Sequence, residues 1–200
     1  MLYNHLVIVI GPSGSGKDSL ISGAKSILAE DPAFDFTTRE ITRPADAGSE
    51  QHISISEEEF QRRRSTGHYA ICWHAHDTWY GIEQAIEDRL SEGKLVVFNG
   101  SRAAIEDARK RFPGVSVIYI EVPEEVLTDR LTSRGRETDL QVRERLARNA
   151  RLRNIPDDVI VLSNTGPLQQ TQDKFIDILR NILADNSENR IGNDHLNRAI

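Results

Sequence analysis

The sequence predicts an α/β domain built on a parallel sheet, and three observations lead to that prediction. Apolar runs of strand length alternate with segments of helical period, which is typical of parallel strands joined by crossover helices. A glycine-rich turn directly follows the first apolar run. The 200-residue chain, 38% hydrophobic, is long enough to bury a core. We therefore expect one domain over residues 1–184.

The individual elements follow from runs of apolar residues and from helical periodicity. Apolar runs predict the strands, which are Leu6–Ile10, Leu95–Phe98, Val115–Ile120 and Val159–Leu162. Apolar faces at helical spacing and a favourable Pro123 predict the helices, which are residues 18–29, 101–111, a helix opening at Pro123, and 168–183. Strand and helix alternate through most of the chain, as a parallel sheet requires.

Residues 36–90 interrupt this alternation. They contain short mixed segments, a helix near Ser56 to Arg64 with Ser56 as its N-cap, and an aromatic cluster. The cluster consists of Tyr69, Trp73, Trp79 and Tyr80. We interpret this span as an inserted subdomain that closes over a ligand. Residues 185–200 are polar and predict a loose tail.

Composition excludes several classes of function. The formal net charge of −6 argues against a general nucleic-acid binder, because such binding depends on lysines and arginines that neutralise phosphates. No apolar run approaches the roughly 20 residues that span a membrane. The first ten residues lack the pattern of a secretory signal, and the single Cys72 suits a reducing compartment. We expect a cytoplasmic protein without nucleic-acid or membrane partners.

A phosphate-binding loop is the clearest motif. Residues 11–18 read GPSGSGKD and match G-x-x-x-x-G-K, whose backbone N–H groups surround phosphates while the lysine reaches the β and γ positions. A predicted strand enters the loop and a predicted helix leaves it, so the helix N-terminus adds partial positive charge. The expected nucleotide-binding residues are Gly11, Pro12, Ser13, Gly14, Ser15, Gly16, Lys17 and Asp18.

Asp18 departs from that motif, which normally has Ser or Thr at this position to contact Mg²⁺. A carboxylate is a hard oxygen ligand and can hold Mg²⁺ directly or through water. It also repels the triphosphate when the metal is absent. We therefore predict strongly magnesium-dependent ATP binding, although Asp18 could instead only favour the start of the helix.

The segment from Arg130 to Arg153 reverses the charge of the chain. It holds eight arginines against three acids. Phosphoryl transfer depends on alignment and on cations at the transferring group. A kinase must also admit an acceptor, which the inserted segment could bind, whereas a hydrolysing switch must position water. We interpret residues 130–153 as a lid over the ATP phosphates of a kinase.

Several segments resemble the guanylate kinase family over nearly the whole chain. They are GPSGSGK, the span from Thr38 to Phe60, WYG at Trp79 to Gly81, and RLTSRGRE followed by RLARNA. The resemblance implies the P-loop nucleoside monophosphate kinase fold, with a five-stranded parallel core, an acceptor-binding subdomain and a lid. It implies ATP as phosphate donor and Arg134 and Arg145 as lid arginines that act with Lys17 in catalysis.

The acceptor site departs from the family pattern. If Arg43 matches the first phosphate-binding arginine, Asp46 replaces the second, and His52 stands where a tyrosine is usual. Ile71 stands where a glutamate reads guanine, and Asn99 where the family has D-x-D. Leaving a donor of the guanine base unpaired would cost about 1–3 kcal/mol. GMP is therefore a poor candidate for the acceptor.

A phosphorylated sugar fits the acceptor site better. KDSL and NGSRA resemble a branch of this group whose acceptor is a sugar bisphosphate and which is associated with phosphonate degradation. Such a ligand needs cations and hydroxyl partners and no base-reading acids. The expected acceptor-binding residues are Arg39, Arg43, His52, Tyr80, Asn99 and Arg102.

Other interpretations remain open. One is a kinase with a different acceptor, GMP included. Another is a non-catalytic interaction module, although such modules typically lose the complete loop and its lysine, whereas Gly16 and Lys17 are present here. His74 and His76 alternate on a possible strand, but two such ligands are a weak zinc signal. An acceptor-site or packing role is the better interpretation of these histidines.

Overall fold

Two sheets organise the part of the chain that the computed structural model describes, which is residues 5–44, 52–75, 77–133 and 156–196, with side chains as far as 185. The strands are β1 (Leu6–Ile10), β2 (Phe34–Phe36), β3 (Glu40–Ile41), β4 (Ile53–Ser54), β5 (Tyr69–Ala75), β6 (Thr78–Glu83), β7 (Leu95–Asn99), β8 (Ser116–Glu121) and β9 (Ile160–Ser163). The helices are α1 (Lys17–Ile27), α2 (Glu57–Ser65), α3 (Ile86–Ser91), α4 (Arg102–Arg111), α5 (Glu124–Ser133) and α6 (Leu168–Leu196).

The larger sheet is five-stranded and all parallel, in the order β2-β7-β1-β8-β9. All five residues of β1 are buried, because helices or the second sheet cover both faces of this central strand. The α/β prediction and four of its strands are confirmed. The edge strand β2 was missed because it has only three residues, FDF, and its apolar residues are too few to show a pattern.

The smaller sheet lies within the span predicted as an insertion. Its order is β4-β3-β6-β5, with β6 antiparallel to both β3 and β5. Helix α2 begins as predicted, because the Ser56 side chain accepts a hydrogen bond from the backbone N–H of Glu59 at 3.2 Å. Phe60 of this helix is buried and its ring stacks on Tyr69 at 4.6 Å.

The two faces of the parallel sheet carry separate cores. Val7 and Val9 point to one face, where they pack with residues of α1 and α6 such as Leu20 and Phe175. The alternate residues of β1 point to the opposite core, which includes Trp73 and Ile82 of the smaller sheet. This second core joins the inserted sheet to the parallel sheet, beside the carboxyl ends of the parallel strands.

The last helix differs from the prediction. Its backbone continues to Leu196, through the polar segment for which composition predicts a loose tail, instead of ending near Leu183. No proline interrupts residues 168–196, so the backbone hydrogen bonding of a helix can continue although the apolar face has ended. Polarity alone was a poor guide to the helix end.

The predicted lid lies almost entirely outside the described residues. Only Arg130 to Ser133, at the end of α5, belong to both. Arg134 and Arg145 are outside the described part of the chain. Across the described residues, the structure contains no helix that is both long enough and apolar enough to span a membrane.

Candidate active site

The phosphate loop lies between β1 and the first residue of α1. Lys17 folds back over it, and its Nζ donates to the carbonyl oxygens of Gly11 at 2.8 Å and Pro12 at 2.9 Å. Gly16 has a φ of 89°, and a Cβ there would lie 2.5 Å from Asn164 Nδ2, so both its backbone and its surroundings favour glycine. The loop is therefore wound tightly around the start of a helix, where anions bind well.

Asn164 fixes this loop from the far end of the sheet. Its Nδ2 donates to the Ser15 carbonyl at 2.8 Å, and Arg130 Nη2 donates to the Asn164 carbonyl at 2.9 Å. The side chain of Asn164 is almost wholly buried. Sequence reasoning missed this residue, since it is 149 positions from its partner and no motif surrounds it.

Asp18 and Asn99 meet beside the loop. Asn99 ends β7, the neighbour of β1, and its Nδ2 donates to Asp18 Oδ1 at 2.6 Å. The other amide atom, Asn99 Oδ1, is buried and has no hydrogen-bond partner in the described part of the chain. A carboxylate and an unpaired amide oxygen are a suitable pair of ligands for a hard cation.

A cavity of about 370 Å³ opens from this point towards the smaller sheet. Eight residues predicted to bind nucleotide, metal or acceptor line it together, with others that were not predicted. The lining residues are Gly11, Pro12, Lys17, Asp18, Arg39, Trp73, Ala75, Tyr80, Asn99, Gly100, Ser101, Arg102 and Ala103. Among them are three cationic side chains and one carboxylate, so the cavity is suited to an anionic ligand.

An aromatic pair forms the cavity wall on the smaller sheet. The rings of Trp73 and Tyr80 stack with centroids 5.2 Å apart and an interplanar angle of 4°. The guanidinium carbon of Arg39 lies 5.2 Å from the Tyr80 ring centroid, within range of a cation–π contact. Sequence reasoning placed Tyr80 and Arg39 in the site but assigned no role there to Trp73.

Gly100 sets the path of the chain from β7 into α4. Its N–H donates to the Val9 carbonyl at 2.9 Å, and a Cβ at this position would lie 2.3 Å from Ile8 Cγ2. Only glycine allows this close approach to β1. The approach brings Ser101 and Arg102 to the cavity beside the phosphate loop.

Arg102 is half-buried at this position. Burial lowers the pKa of its guanidinium, while the Tyr119 hydroxyl nearby raises it. Arginine nevertheless stays protonated near neutral pH. Arg102 therefore brings a poorly hydrated positive charge to the cavity wall.

A second cavity, of about 360 Å³, lies on the other side of the phosphate loop. Its lining combines the loop, the end of α5 and the turn after β9. The residues are Gly14, Gly16, Ser19, Arg130, Ser133, Asn164, Gly166 and Leu168. The phosphate loop thus separates two cavities, as expected for a site that brings a donor and an acceptor together.

Arg43 and His52 are not among the described residues that line either cavity. They lie together near β4, where His52 Nε2 is 3.1 Å from the Arg43 carbonyl oxygen and Ser54 Oγ donates to the same oxygen at 2.8 Å. Their predicted contact with an acceptor phosphate remains a prediction.

Glu40, His68 and Glu83 form a group with the spacing of metal ligands, their ligand atoms lying within 4.8 Å of one another. Glu40 is nevertheless already satisfied, because it accepts hydrogen bonds from Arg63 and from the Tyr69 hydroxyl. Burial and this hydrogen bond raise the pKa of Tyr69. We interpret the group as the link between α2 and the smaller sheet.

Sequence analysis also noted a weak zinc signal at His74 and His76. The His74 ring packs on Trp79, with ring centroids 4.8 Å apart, and His76 lies outside the described residues.

Comparisons with known proteins show which family this chain is similar to. The family model described as guanylate kinase matches residues 3–181. The chain is 41% identical to ribose 1,5-bisphosphate phosphokinase PhnN of Thiobacillus denitrificans, over 90% of this chain and 94% of that protein. It is 44% identical to the protein of the same name from Klebsiella pneumoniae, again over 90% of this chain and 94% of the relative.

A solved structure supports the fold. Guanylate kinase from Anaplasma phagocytophilum superposes with a TM-score of 0.59, covering 88% of this chain and 84% of that one. The two sequences are 18% identical, so the likeness concerns the fold alone.

Proposed function

Because the chain belongs to the guanylate kinase family, and within it to the ribose 1,5-bisphosphate phosphokinases, we propose that it phosphorylates ribose 1,5-bisphosphate with ATP. The products are 5-phosphoribosyl 1-diphosphate and ADP, and the reaction serves phosphonate catabolism. The observation that supports this acceptor most strongly is the charge of the cavity beside the loop. Lys17, Arg39 and Arg102 line it, and Asp18 is the one carboxylate among its described lining residues.

ATP binds across the phosphate loop in this proposal. Its phosphates lie at the N-terminus of α1, where backbone N–H groups and the helix dipole favour anions. The rest of the nucleotide extends into the cavity of about 360 Å³ beside Arg130 and Asn164. Lys17 leaves the carbonyl oxygens of Gly11 and Pro12 and donates to the β and γ phosphates instead.

The residues near Asp18 fit the Mg²⁺ that a kinase of this family implies. The Asp18 carboxylate and Asn99 Oδ1 would hold it, since both are oxygen ligands and Asn99 Oδ1 has no partner among the described residues. When bound, Mg²⁺ neutralises charge on the β and γ phosphates. Asn99 also orients the Asp18 side chain through its Nδ2.

Transfer requires alignment and charge stabilisation rather than a general base. The attacking atom is an oxygen of the 1-phosphate of the sugar, which is already anionic near neutral pH. It forms the new P–O bond while the bond to the β-phosphate breaks and ADP leaves. Lys17 stabilises the charge that develops on the transferring group. We assign the same role to Arg134 and Arg145, which lie outside the described residues.

The wall of the acceptor cavity orients the sugar. Arg39 is buried and held against Tyr80, so its positive charge has a fixed position. A fixed cation loses little freedom on binding a phosphate, which favours affinity. Since the reaction consumes ATP, and the unpaired Cys72 suits a reducing compartment, we place the enzyme in the cytoplasm.

An assay with two acceptors tests this function. Purified protein is incubated with Mg-ATP and either ribose 1,5-bisphosphate or GMP, and ADP release is followed. We expect turnover with the sugar bisphosphate and a kcat/KM for GMP at least about 100-fold lower. The only carboxylate among the described residues that line the cavity is Asp18, which we assign to Mg²⁺, so the guanine donors would lack a carboxylate partner there.

Two results of this assay would contradict the proposed acceptor. Turnover with GMP alone would show that the enzyme is a guanylate kinase and would contradict the proposed acceptor. No turnover with either substrate would exclude both ribose 1,5-bisphosphate and GMP as acceptors.

A further inference from the structure

Four residues that line the acceptor cavity each carry a buried polar atom without a hydrogen-bond partner within the described ranges. Asn99 Oδ1 is the acceptor among them, and we have assigned it to the proposed Mg²⁺. The other three can donate a hydrogen bond and are Trp73 Nε1, Ser101 Oγ and Arg102 Nη1. Buried polar groups are rarely left unpaired, and several unpaired donors lining one cavity indicate a ligand that accepts hydrogen bonds.

Two of these donors lie at the N-terminus of α4. Ser101 has the extended backbone of an N-cap residue, with φ −136° and ψ 166°, yet its side chain does not cap the helix. The first turn of this ten-residue helix contains no acidic residue. The positive end of the helix dipole is therefore uncompensated, next to a hydroxyl without a partner and a half-buried guanidinium.

The third donor is rigid. Trp73 is 4% exposed. Its ring stacks on Tyr80 and packs against the ring of Phe98, whose centroid is 6.4 Å away. An indole N–H can only donate, so its partner must be an acceptor atom of the ligand. Helix α4 packs against β5, which carries Trp73, and both line the same cavity.

We propose that the start of α4 and Trp73 form a subsite for the phosphate of the acceptor that is not phosphorylated, the 5-phosphate of ribose 1,5-bisphosphate. This inference rests on the proposed function. The reacting phosphate must approach Lys17 after β1, whereas Ser101 and Arg102 follow β7, the adjacent strand. The cavity thus has one group of donors after β1 and another after β7, which matches a ligand with two phosphates. Ser101 and Trp73 then determine the specificity of the enzyme for an acceptor that carries the second phosphate.

The test uses two inhibitors that each carry one phosphate. Ribose 5-phosphate presents only the group assigned to the subsite, and ribose 1-phosphate only the reacting group. Each is measured as a competitive inhibitor of ribose 1,5-bisphosphate phosphorylation, in the wild type and in Ser101→Ala, Arg102→Met and Trp73→Phe. We expect the Ki of ribose 5-phosphate to rise about tenfold or more, the effect of losing a hydrogen bond to a charged group, while that of ribose 1-phosphate changes less than about threefold.

Matched variants control for indirect effects. Arg109→Met removes another arginine of α4, one that pairs with Asp158, and Trp79→Phe alters the neighbouring tryptophan, which contacts Phe60 and Arg64. Neither residue lines the acceptor cavity. Both variants should leave the two Ki values unchanged, and thermal unfolding of all variants reports on folding.

Different results contradict the proposed subsite and the proposed function. If the wild type phosphorylates ribose 1,5-bisphosphate but the two Ki values rise equally, or neither rises, the subsite is wrong and the function stands. If the wild type does not phosphorylate this sugar, the function is wrong and the subsite with it. A rise confined to ribose 1-phosphate would place the reacting phosphate at α4 and overturn the assignment.

Discussion

At the scale of the residue, the phosphate loop depends on Lys17. We predict that Lys17→Met lowers kcat about 10²–10³-fold, because the charge that develops in transfer loses its main cation within the loop. The thermal midpoint should fall by less than about 4 °C, since the lysine is only partly buried and makes hydrogen bonds to two carbonyl groups.

Lys25→Met is the matched control for this variant. Lys25 is exposed in the last turn of the same helix, and its replacement should leave kcat unchanged. Activity retained in Lys17→Met, or a loss equal to that in Lys25→Met, would refute the role of Lys17.

Asp18 gives a second prediction at this scale. Without metal its carboxylate repels the triphosphate, so Asp18→Ser should reduce the ratio of the ATP dissociation constants without and with Mg²⁺ about tenfold. Titration calorimetry measures both constants. Asp173→Ser, on the exposed surface of α6, serves as the control. An unchanged ratio in Asp18→Ser would show that this residue merely begins the helix.

Local motifs made these residues predictable, and the limits of local motifs explain what was missed. The loop residues are contiguous, so their spacing alone identifies them. Asn164 and Trp73 act through contacts that only the fold creates, one across the sheet and one between two sheets. Ser101 lay inside a recognised segment, but its free hydroxyl depends on the backbone conformation before α4.

At the scale of the element, α2 is fastened to the smaller sheet by an ion pair. Arg63 pairs with Glu40, whose side chain is 1% exposed, whereas the one ion pair of Arg62 within the described part of the chain is with Glu59. We predict that Arg63→Met destabilises the protein by about 1–3 kcal/mol, because it leaves a buried carboxylate without its cation. Arg62→Met should change stability by less than about 0.5 kcal/mol, as is usual for exposed pairs.

Urea unfolding of these two variants measures the difference. Similar free energies of unfolding would show that Glu40 does not depend on Arg63. The pair could not be found from sequence, since 23 positions separate its members and many acids surround them. By contrast, Ser56 was predicted as an N-cap because capping is a local feature.

Strands were predictable from the sequence where a run of apolar residues marks them. The four predicted strands of the parallel sheet have apolar runs, whereas β2, β3 and β4 have only two or three residues each, and β5 and β6 mix apolar with polar residues. The end of α6 was misplaced because the apolar pattern stops before the backbone helix does. Tertiary pairing, not residue preference, defines the short strands.

At the scale of the whole molecule, the fold places two cavities on either side of one loop. The parallel sheet supplies the loop after β1 and the turn after β7, and the inserted sheet supplies the wall with Trp73 and Tyr80. The net charge of the chain is −6, while three cationic side chains line the acceptor cavity. The protein thus combines an acidic surface with a local site for anions.

The chemical structure of the product is the most direct test of phosphoryl transfer to the 1-phosphate of the sugar. Purified enzyme is incubated with Mg-ATP and ribose 1,5-bisphosphate, nucleotides are removed on charcoal, and the remaining product is examined by ³¹P NMR. We expect two mutually coupled phosphorus signals from a diphosphate ester and one separate monoester signal from the 5-phosphate. A product with monoester signals alone would mean that a hydroxyl group was phosphorylated, and this would contradict transfer to the phosphate.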